Sequence, residues 1–266
     1  MASFLLFIAG LVGGALNAVA GGGSFIALPA LLAAGVAPVA ANATTTLALW
    51  PGSLSSAIAY RGDIAAARQS LLELGIVSLI GGLLGGWLLI RTSDQRFLRL
   101  LPWLMLAAAT TFTIGGRVAN RLRRRGLRDA SFSQPLVSSP QPLVPSPQPR
   151  ISVWILLFQL AIATYGGYFA GGIGIMMLAA FSVSGMTEIH GMNGIKALLS
   201  VVINGVSLAE FIAAGAIAWT PGLIMVAGAV VGGYSGAFFA RRVESRIIRG
   251  LVIAVAWAMT IYFFAR

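Results

Sequence analysis

Two groups of polar side chains interrupt apolar stretches of this chain, and the spacing within each group predicts one polar helix face. The first group contains Asn42 and Thr45, and the second contains Asn193, Lys196 and Asn204. At about 100° per residue, the members of each group fall within one narrow stripe of a helix. Hydroxyl, amide and ammonium groups donate hydrogen bonds, so the two stripes together predict a site for an anion or for a proton-coupled solute.

Lys196 is the only lysine in the chain and lies about one turn inside its predicted helix. A buried ammonium needs an anionic partner, a route by which it reaches the membrane surface, or loss of its proton. The uncharged polar residues could instead only join neighbouring helices. The lysine favours the anion site, and the packing role stays open for the other residues.

Two glycine clusters each break an apolar stretch, and each is followed by a short apolar segment. They lie at residues 21–23 and 171–174. Such a break frees backbone N–H groups, and the short helix that follows directs its positive N-terminus toward the break. The anion site is therefore expected to include the backbones of Gly22, Gly23, Ser24, Gly172 and Gly174. Close packing between membrane helices is the alternative role for these glycines.

The composition is that of a membrane protein, with 58% hydrophobic and only 9% charged residues. An all-α polytopic fold with eight transmembrane helices is predicted at 3–20, 38–60, 70–90, 100–116, 151–170, 192–214, 221–240 and 247–265. The net charge of +11 comes mainly from arginines between these spans. Lipid headgroups are nearer partners for them than nucleic acid, which we exclude as a partner.

The sequence predicts two tandem homologous halves. Placing Asn42 on Asn193 also places Gly23 on Gly174. The predicted domains are a first half at 1–116, a basic and proline-rich linker at 117–150, and a second half at 151–266. Each half has a glycine-broken first helix followed by a short half-helix. If the short segments at 25–35 and 176–185 cross the membrane, the halves are inverted and most arginines share one side; otherwise the halves are parallel.

The glycine clusters and polar stripes resemble the TauE/SafE sulfite-exporter family. In the first half the similar segments are GGGSFIALP at 21–29, GVAP at 35–38 and ANATT at 41–45. In the second half they are GGIG at 171–174, IHGMNGIK at 189–196 and GGYSGA at 232–237. The resemblance covers nearly the whole chain except the linker. It implies a bacterial inner-membrane permease for sulfite or small organosulfonates such as sulfoacetate, working without a cofactor.

Glu188 and His190 lie beside the second broken segment, where protonation near neutral pH could accompany transport. An ion channel is an alternative function, because glycine-rich breaks can supply coordinating carbonyls. An intramembrane enzyme is the third class, but Ser184 and His190 do not by themselves define a nucleophile and base. The chain has no cysteine and no cluster with metal-ligand spacing, so no metal is expected. Whether the protein forms a homodimer stays open.

Overall fold

The computed structural model describes residues 2–61, 68–132, 152–183, 186, 189–240 and 245–265. These residues form α-helices and short connections, with no strand among them. In chain order the helices are α1 (Ala2–Ala20), α2 (Ser24–Ala33), α3 (Pro38–Ala59), α4 (Arg68–Ile90), α5 (Asp94–Phe132), α6 (Val153–Phe169), α7 (Ile173–Val183), α8 (Ile189–Ala213), α9 (Trp219–Ala240) and α10 (Ser245–Ala265).

The helices place apolar side chains on the outside of the molecule, as a lipid environment requires. Leu72, Trp154 and Phe158 are 70%, 72% and 61% exposed. Within the described residues, three segments are long and apolar enough to cross a membrane on their own, at Leu71–Ile90, Asp94–Ile114 and Gly191–Ala213. Shorter apolar helices accompany them at Ala2–Asn17, Ser24–Ala33, Val153–Phe169, Ile173–Ser182 and Val252–Ala265. The chain is therefore a helical membrane protein.

Both predicted glycine breaks are present, and each depends on a left-handed backbone. Gly21 between α1 and α2 has φ of 75°, and Gly172 between α6 and α7 has φ of 82°. This region of backbone space favours glycine because it lacks Cβ. After the first break α2 folds back along α1, since a Cβ on Gly13 would lie 3.8 Å from Ala27 and a Cβ on Gly23 would lie 3.0 Å from Asn17.

Small residues let two pairs of helices pack backbone to backbone. Gly10 contacts the backbone of Met225, and Gly14 contacts that of Ala229. Residue numbers therefore increase in the same direction along both helices, so α1 and α9 run parallel. Cβ atoms at these two glycines would collide with the neighbouring backbone. The α4 and α6 pair is arranged in the same way, through Gly81 and Gly85. These close approaches agree with the packing role of small residues in membrane helices.

We call the end of the molecule where α4 ends and α5 begins side A, and the opposite end side B. The backbone N–H of Val39 donates to Asp94 Oδ1 at 2.8 Å, which places the start of α3 on side A. The N–H of Ala218 donates to Thr44 Oγ1 at 3.0 Å, so α9 also starts there. Because α1 runs parallel to α9, α1 starts on side A as well.

Three of the later helices, α6, α8 and α10, run the other way. α6 runs parallel to α4, and α8 does so too, because Gly82 packs on Ile203 and Gly86 packs on Ser207. The rings of Trp103 and Phe264 lie 5.2 Å apart, which places the end of α10 beside the first turns of α5. Thus α1, α3 and α5 start on side A, whereas α6, α8 and α10 end there.

Packing divides most of the helices into two bundles. The first bundle is α1, α2, α3 and α9, and the second is α4, α6, α7 and α8. A separate hydrophobic core lies wholly within the second bundle and includes Leu74, Ala163, Met177 and Leu199. A larger core joins the first bundle to α5, α10 and the side A ends of α4, α6 and α8. The halves at 1–116 and 151–266 stay a prediction, and each bundle takes one helix from the other half.

Candidate functional site

A cavity of about 220 Å³ lies between α3 of the first bundle and α8 of the second. It extends from Thr45 along α3 to Tyr60, the residue that follows this helix on side B. Its other polar side chains are those of Asn17, Ser24, Thr46, Ser53, Ser56, Asn193, Lys196, Ser200 and Asn204. The cavity therefore brings together side chains from both predicted polar stripes.

Lys196 supplies the positive charge of the cavity. Its Nζ donates to Asn193 Oδ1 at 3.2 Å, one turn earlier on α8. Its aliphatic stem lies against Gly174, where a Cβ would be only 3.2 Å from Lys196 Cδ. Among the described residues that line the cavity there is no Asp or Glu, so the lining offers this ammonium no carboxylate.

The two short helices both begin at this cavity. Gly21 and Ser24 line it at the start of α2, and Ile173 and Gly174 line it at the start of α7. The first N–H groups of a helix have no partner within the helix, and the aligned peptide dipoles give this end a positive potential. Two helix starts and an ammonium therefore face one cavity, an arrangement that attracts anions.

Two side chains of the cavity have defined hydrogen-bonding states. The Asn204 Oδ1 is buried without a partner, so the amide nitrogen is the polar atom that this side chain can offer to the cavity. The Thr45 Oγ1 donates to Ala41 O at 2.9 Å, within its own helix. Because a hydroxyl has one proton, Thr45 has to rotate away from Ala41 before it can donate to a ligand.

Four of the residues predicted for the site do not line the cavity. The Asn42 Nδ2 donates to Tyr168 O at 2.7 Å. Gly22 packs against Val252, Gly23 packs against α1, and Gly172 packs against Ala108 and Phe112. These three glycines therefore serve close packing beside the helix starts, which is the alternative role considered for them.

The residues suggested for proton coupling are only partly placed. Glu188 lies outside the described residues. The structure describes the backbone of His190, in the first turn of α8, but not its side chain. Coupling through these two residues stays a prediction. Within the described part of the chain, no group of His, Cys, Asp and Glu has the arrangement of a metal site.

Asn17 and Tyr60 line the cavity, although sequence reasoning did not select them. Asn17 gave a usable signal, because an amide in an otherwise apolar span needs a partner or water. Tyr60 gave none, since a tyrosine at the end of a membrane helix is common at the lipid interface.

Comparison with known proteins identifies the family of the chain. The family model described as "Sulfite exporter TauE/SafE" matches residues 6–263. A "Probable membrane transporter protein" from Haemophilus influenzae is 27% identical over 257 residues, which cover 96% of this chain and 92% of that protein.

Two further relatives have similar coverage. The "Probable membrane transporter protein ORF9" from a Sinorhizobium species is 27% identical over 96% of this chain and 90% of its own length. The "Probable membrane transporter protein YfcA" from Escherichia coli K12 is 25% identical over 96% of this chain and 87% of its own. No solved structure matches the chain.

Proposed function

Because the chain belongs to the TauE/SafE sulfite exporter family of membrane transporters, we propose that it is a secondary carrier of small anions. The substrates that fit best are sulfite and organosulfonates such as sulfoacetate. The carrier works by alternating access, with the anion bound between the two bundles. The observation that carries this proposal is the cavity where Lys196 and the starts of α2 and α7 converge.

The charge of this cavity supports a small anion. Each helix start contributes about half a positive charge, so two of them with one ammonium give roughly two positive charges. The cavity lining within the described residues contains no carboxylate to offset them. Sulfite and sulfoacetate, when fully ionised, carry a charge of the same size and opposite sign.

The hydrogen-bonding groups support oxygens that accept without donating. A sulfonate has three such oxygens. Lys196 Nζ, the Asn204 amide nitrogen and the N–H groups at the starts of α2 and α7 are donors around the cavity. Asn193 Nδ2 is a further donor, because only the Oδ1 of this side chain accepts from Lys196. Thr45 joins the donors once its hydroxyl rotates away from Ala41.

The arrangement of helices supports eight full spans and two half-helices in two inverted halves. Each of α1, α3, α4 and α5 runs opposite to the helix five places later in the chain, and Gly21 and Gly172 hold matching left-handed positions. The Trp50 Nε1 donates to Val201 O at 3.2 Å, and these residues are 151 positions apart, the same separation as Asn42 and Asn193. Contact between matching positions is what a pseudo-twofold axis between α3 and α8 would produce.

The arginines support one membrane orientation. Arg91, Arg96 and Arg99 lie near side A, whereas the arginine-rich segment at 117–128 forms the later part of α5, which runs toward side B. Arg61 follows α3 at side B as well. The positive-inside rule then makes side B cytoplasmic in a bacterial inner membrane. The cavity reaches side B at Tyr60, so this conformation would load substrate from the cytoplasm, as an exporter does.

The test is uptake into proteoliposomes of labelled sulfite and sulfoacetate, with acetate as a control. The wild type should show saturable uptake and counterflow, and Lys196→Met should lose both. Arg96→Met is the matched control, because Arg96 is an exposed cation outside the cavity, and it should keep wild-type uptake. Unchanged affinity in Lys196→Met would refute the site. Single-channel currents without counterflow would instead indicate the channel.

A further inference from the structure

One hydrogen bond joins the two bundles on the side away from the cavity. The Asn42 side chain in α3 donates through Nδ2 to the backbone oxygen of Tyr168 in α6 at 2.7 Å. Asn42 is 1% exposed, and the Tyr168 hydroxyl donates to Thr92, which follows the side A end of α4. The bond therefore lies in the side A half of the molecule, where it holds α3 of the first bundle to α6 of the second.

Among the described residues, no hydrogen bond joins the matching positions on side B. The alignment that places Asn42 on Asn193 places Asn17 on Tyr168. Asn17 and Asn193 both line the cavity, on α1 of the first bundle and α8 of the second. The backbone oxygen of Asn17 accepts from Gly21 N, and the Asn193 Oδ1 accepts from Lys196 Nζ. A carbonyl oxygen has two lone pairs, so Asn17 O has capacity for a second donor.

We propose that Asn42 and Asn193 are the alternating gates of this carrier. In the present conformation Asn42 holds side A shut through Tyr168 O. In the opposite conformation Asn193 holds side B shut by donating through Nδ2 to Asn17 O, while the bond of Asn42 is broken. This inference rests on the proposed alternation between two inverted halves, and it assigns to Asn42 a role outside the substrate site.

The contact between Asn193 and Lys196 links gate closure to the substrate. In this structure the Lys196 ammonium donates to Asn193 Oδ1. An anion that binds Lys196 competes with Asn193 for the ammonium protons. Once released, Asn193 can turn toward Asn17. Substrate binding would thereby promote closure of side B.

Cysteine labelling in nanodiscs tests the gates, and it needs no substrate. The chain has no native cysteine, so each introduced cysteine is the only labelling site. The reporters are Ser56→Cys, which lines the side B cavity, and Ser207→Cys at the matching position, where the serine is 1% exposed. Asn42→Leu should slow labelling at position 56 and speed it at position 207. Loss of one hydrogen bond changes the ratio of the two conformations about two- to tenfold.

Asn193→Leu should not slow labelling at position 56, because it weakens the opposite gate. Gln159→Leu is the matched control, since Gln159 Nε2 donates to Ser78 Oγ at 2.8 Å between α6 and α4 within one bundle. It should leave the ratio of labelling rates unchanged. Monodisperse elution checks that each variant is folded, and Asn42→Ser replaces Asn42→Leu where the latter is not.

The proposal is overturned if Asn42 variants leave both labelling rates unchanged, or if Asn42→Leu and Asn193→Leu shift them in the same direction. Because no anion is present, a wrong substrate assignment would not alter these rates. Conversely, sulfonate uptake that depends on Lys196 would stand even if the gates were refuted.

Discussion

The side chain of Lys196 crosses the face of Gly174, so the ammonium reaches the start of α7 only because position 174 has no side chain. A Cβ at this position would lie 3.2 Å from Cδ and 3.7 Å from Cε of the lysine. Contacts near 3.2 Å are tighter than ordinary van der Waals packing, so a methyl group would displace the lysine stem. The glycine break therefore sets the position of the charge as well as the direction of the chain.

Gly174→Ala should weaken substrate affinity while leaving the protein folded. The methyl group moves the ammonium away from the helix start, and a displacement of a few tenths of an ångström in a charged hydrogen bond should cost about 1 kcal/mol, or about fivefold in KM. Substrate uptake measured at several concentrations checks this. Gly75→Ala is the control, because a Cβ there meets nothing within 4 Å. Equal KM values for both variants would show that Gly174 does not position Lys196.

Gly85→Ala should reduce folding yield and thermal stability far more than Gly75→Ala, although both residues lie in α4. A Cβ on Gly85 would collide with the backbone of Thr164 and Tyr168, and backbone cannot move aside as a flexible side chain can. Forced separation of packed helices costs about 1–3 kcal/mol. Melting temperatures in detergent measure the difference. A Gly85→Ala protein as stable as the wild type would contradict the close packing of α4 on α6.

Trp50→Phe should destabilise the contact between α3 and α8. The change removes the hydrogen bond from the indole nitrogen to Val201 O and opens space beside Gly205, which lies against the indole. The lost bond leaves a backbone oxygen short of one donor, at a cost of about 1 kcal/mol. Thermal unfolding of the purified variant checks this. Trp154→Phe is a suitable control, because Trp154 is 72% exposed on the outer surface.

Cysteines at Ser93 and Ser245 should be accessible from opposite sides of the membrane. Ser93 lies between α4 and α5 on side A, and Ser245 begins α10, which ends on side A. With side B cytoplasmic, an impermeant reagent outside intact cells should label Ser93→Cys and not Ser245→Cys. Labelling of both from outside would exclude the inverted arrangement, and the reverse pattern would place side A in the cytoplasm.

The sequence predicted much of the cavity because helical periodicity is a local property. Thr45 belongs to the polar face predicted for one helix, and Asn193, Lys196 and Asn204 recur at spacings that define one face of another. The structure places all four on the cavity. Periodicity does not say where along the face a ligand would lie. Asn42 shares the face of Thr45, yet it bonds to Tyr168 instead of lining the cavity.

The partners of the helices could not be predicted in the same way. Gly81 and Gly85 indicate a packing face on α4, but any helix with small residues could fill it. The partner is α6, from beyond the linker, and α1 correspondingly packs on α9. Likewise, the glycines of both breaks look alike in sequence, and only their neighbours in space distinguish Gly174 at the cavity from Gly172 against Phe112.

The exchange of α4 and α9 between the bundles bears on how such a protein is made and how it could have arisen. The principal neighbour of α1 is α9, which is synthesised near the end of the chain. During most of translation the glycine face of α1 therefore has no α9 to pack against. Two separate copies of one half, inserted in opposite orientations and trading their fourth helices, would form the same contacts as a domain-swapped dimer. On the proposed inverted arrangement, a linker that fused such a pair would give a single chain in which neither half is complete without the other.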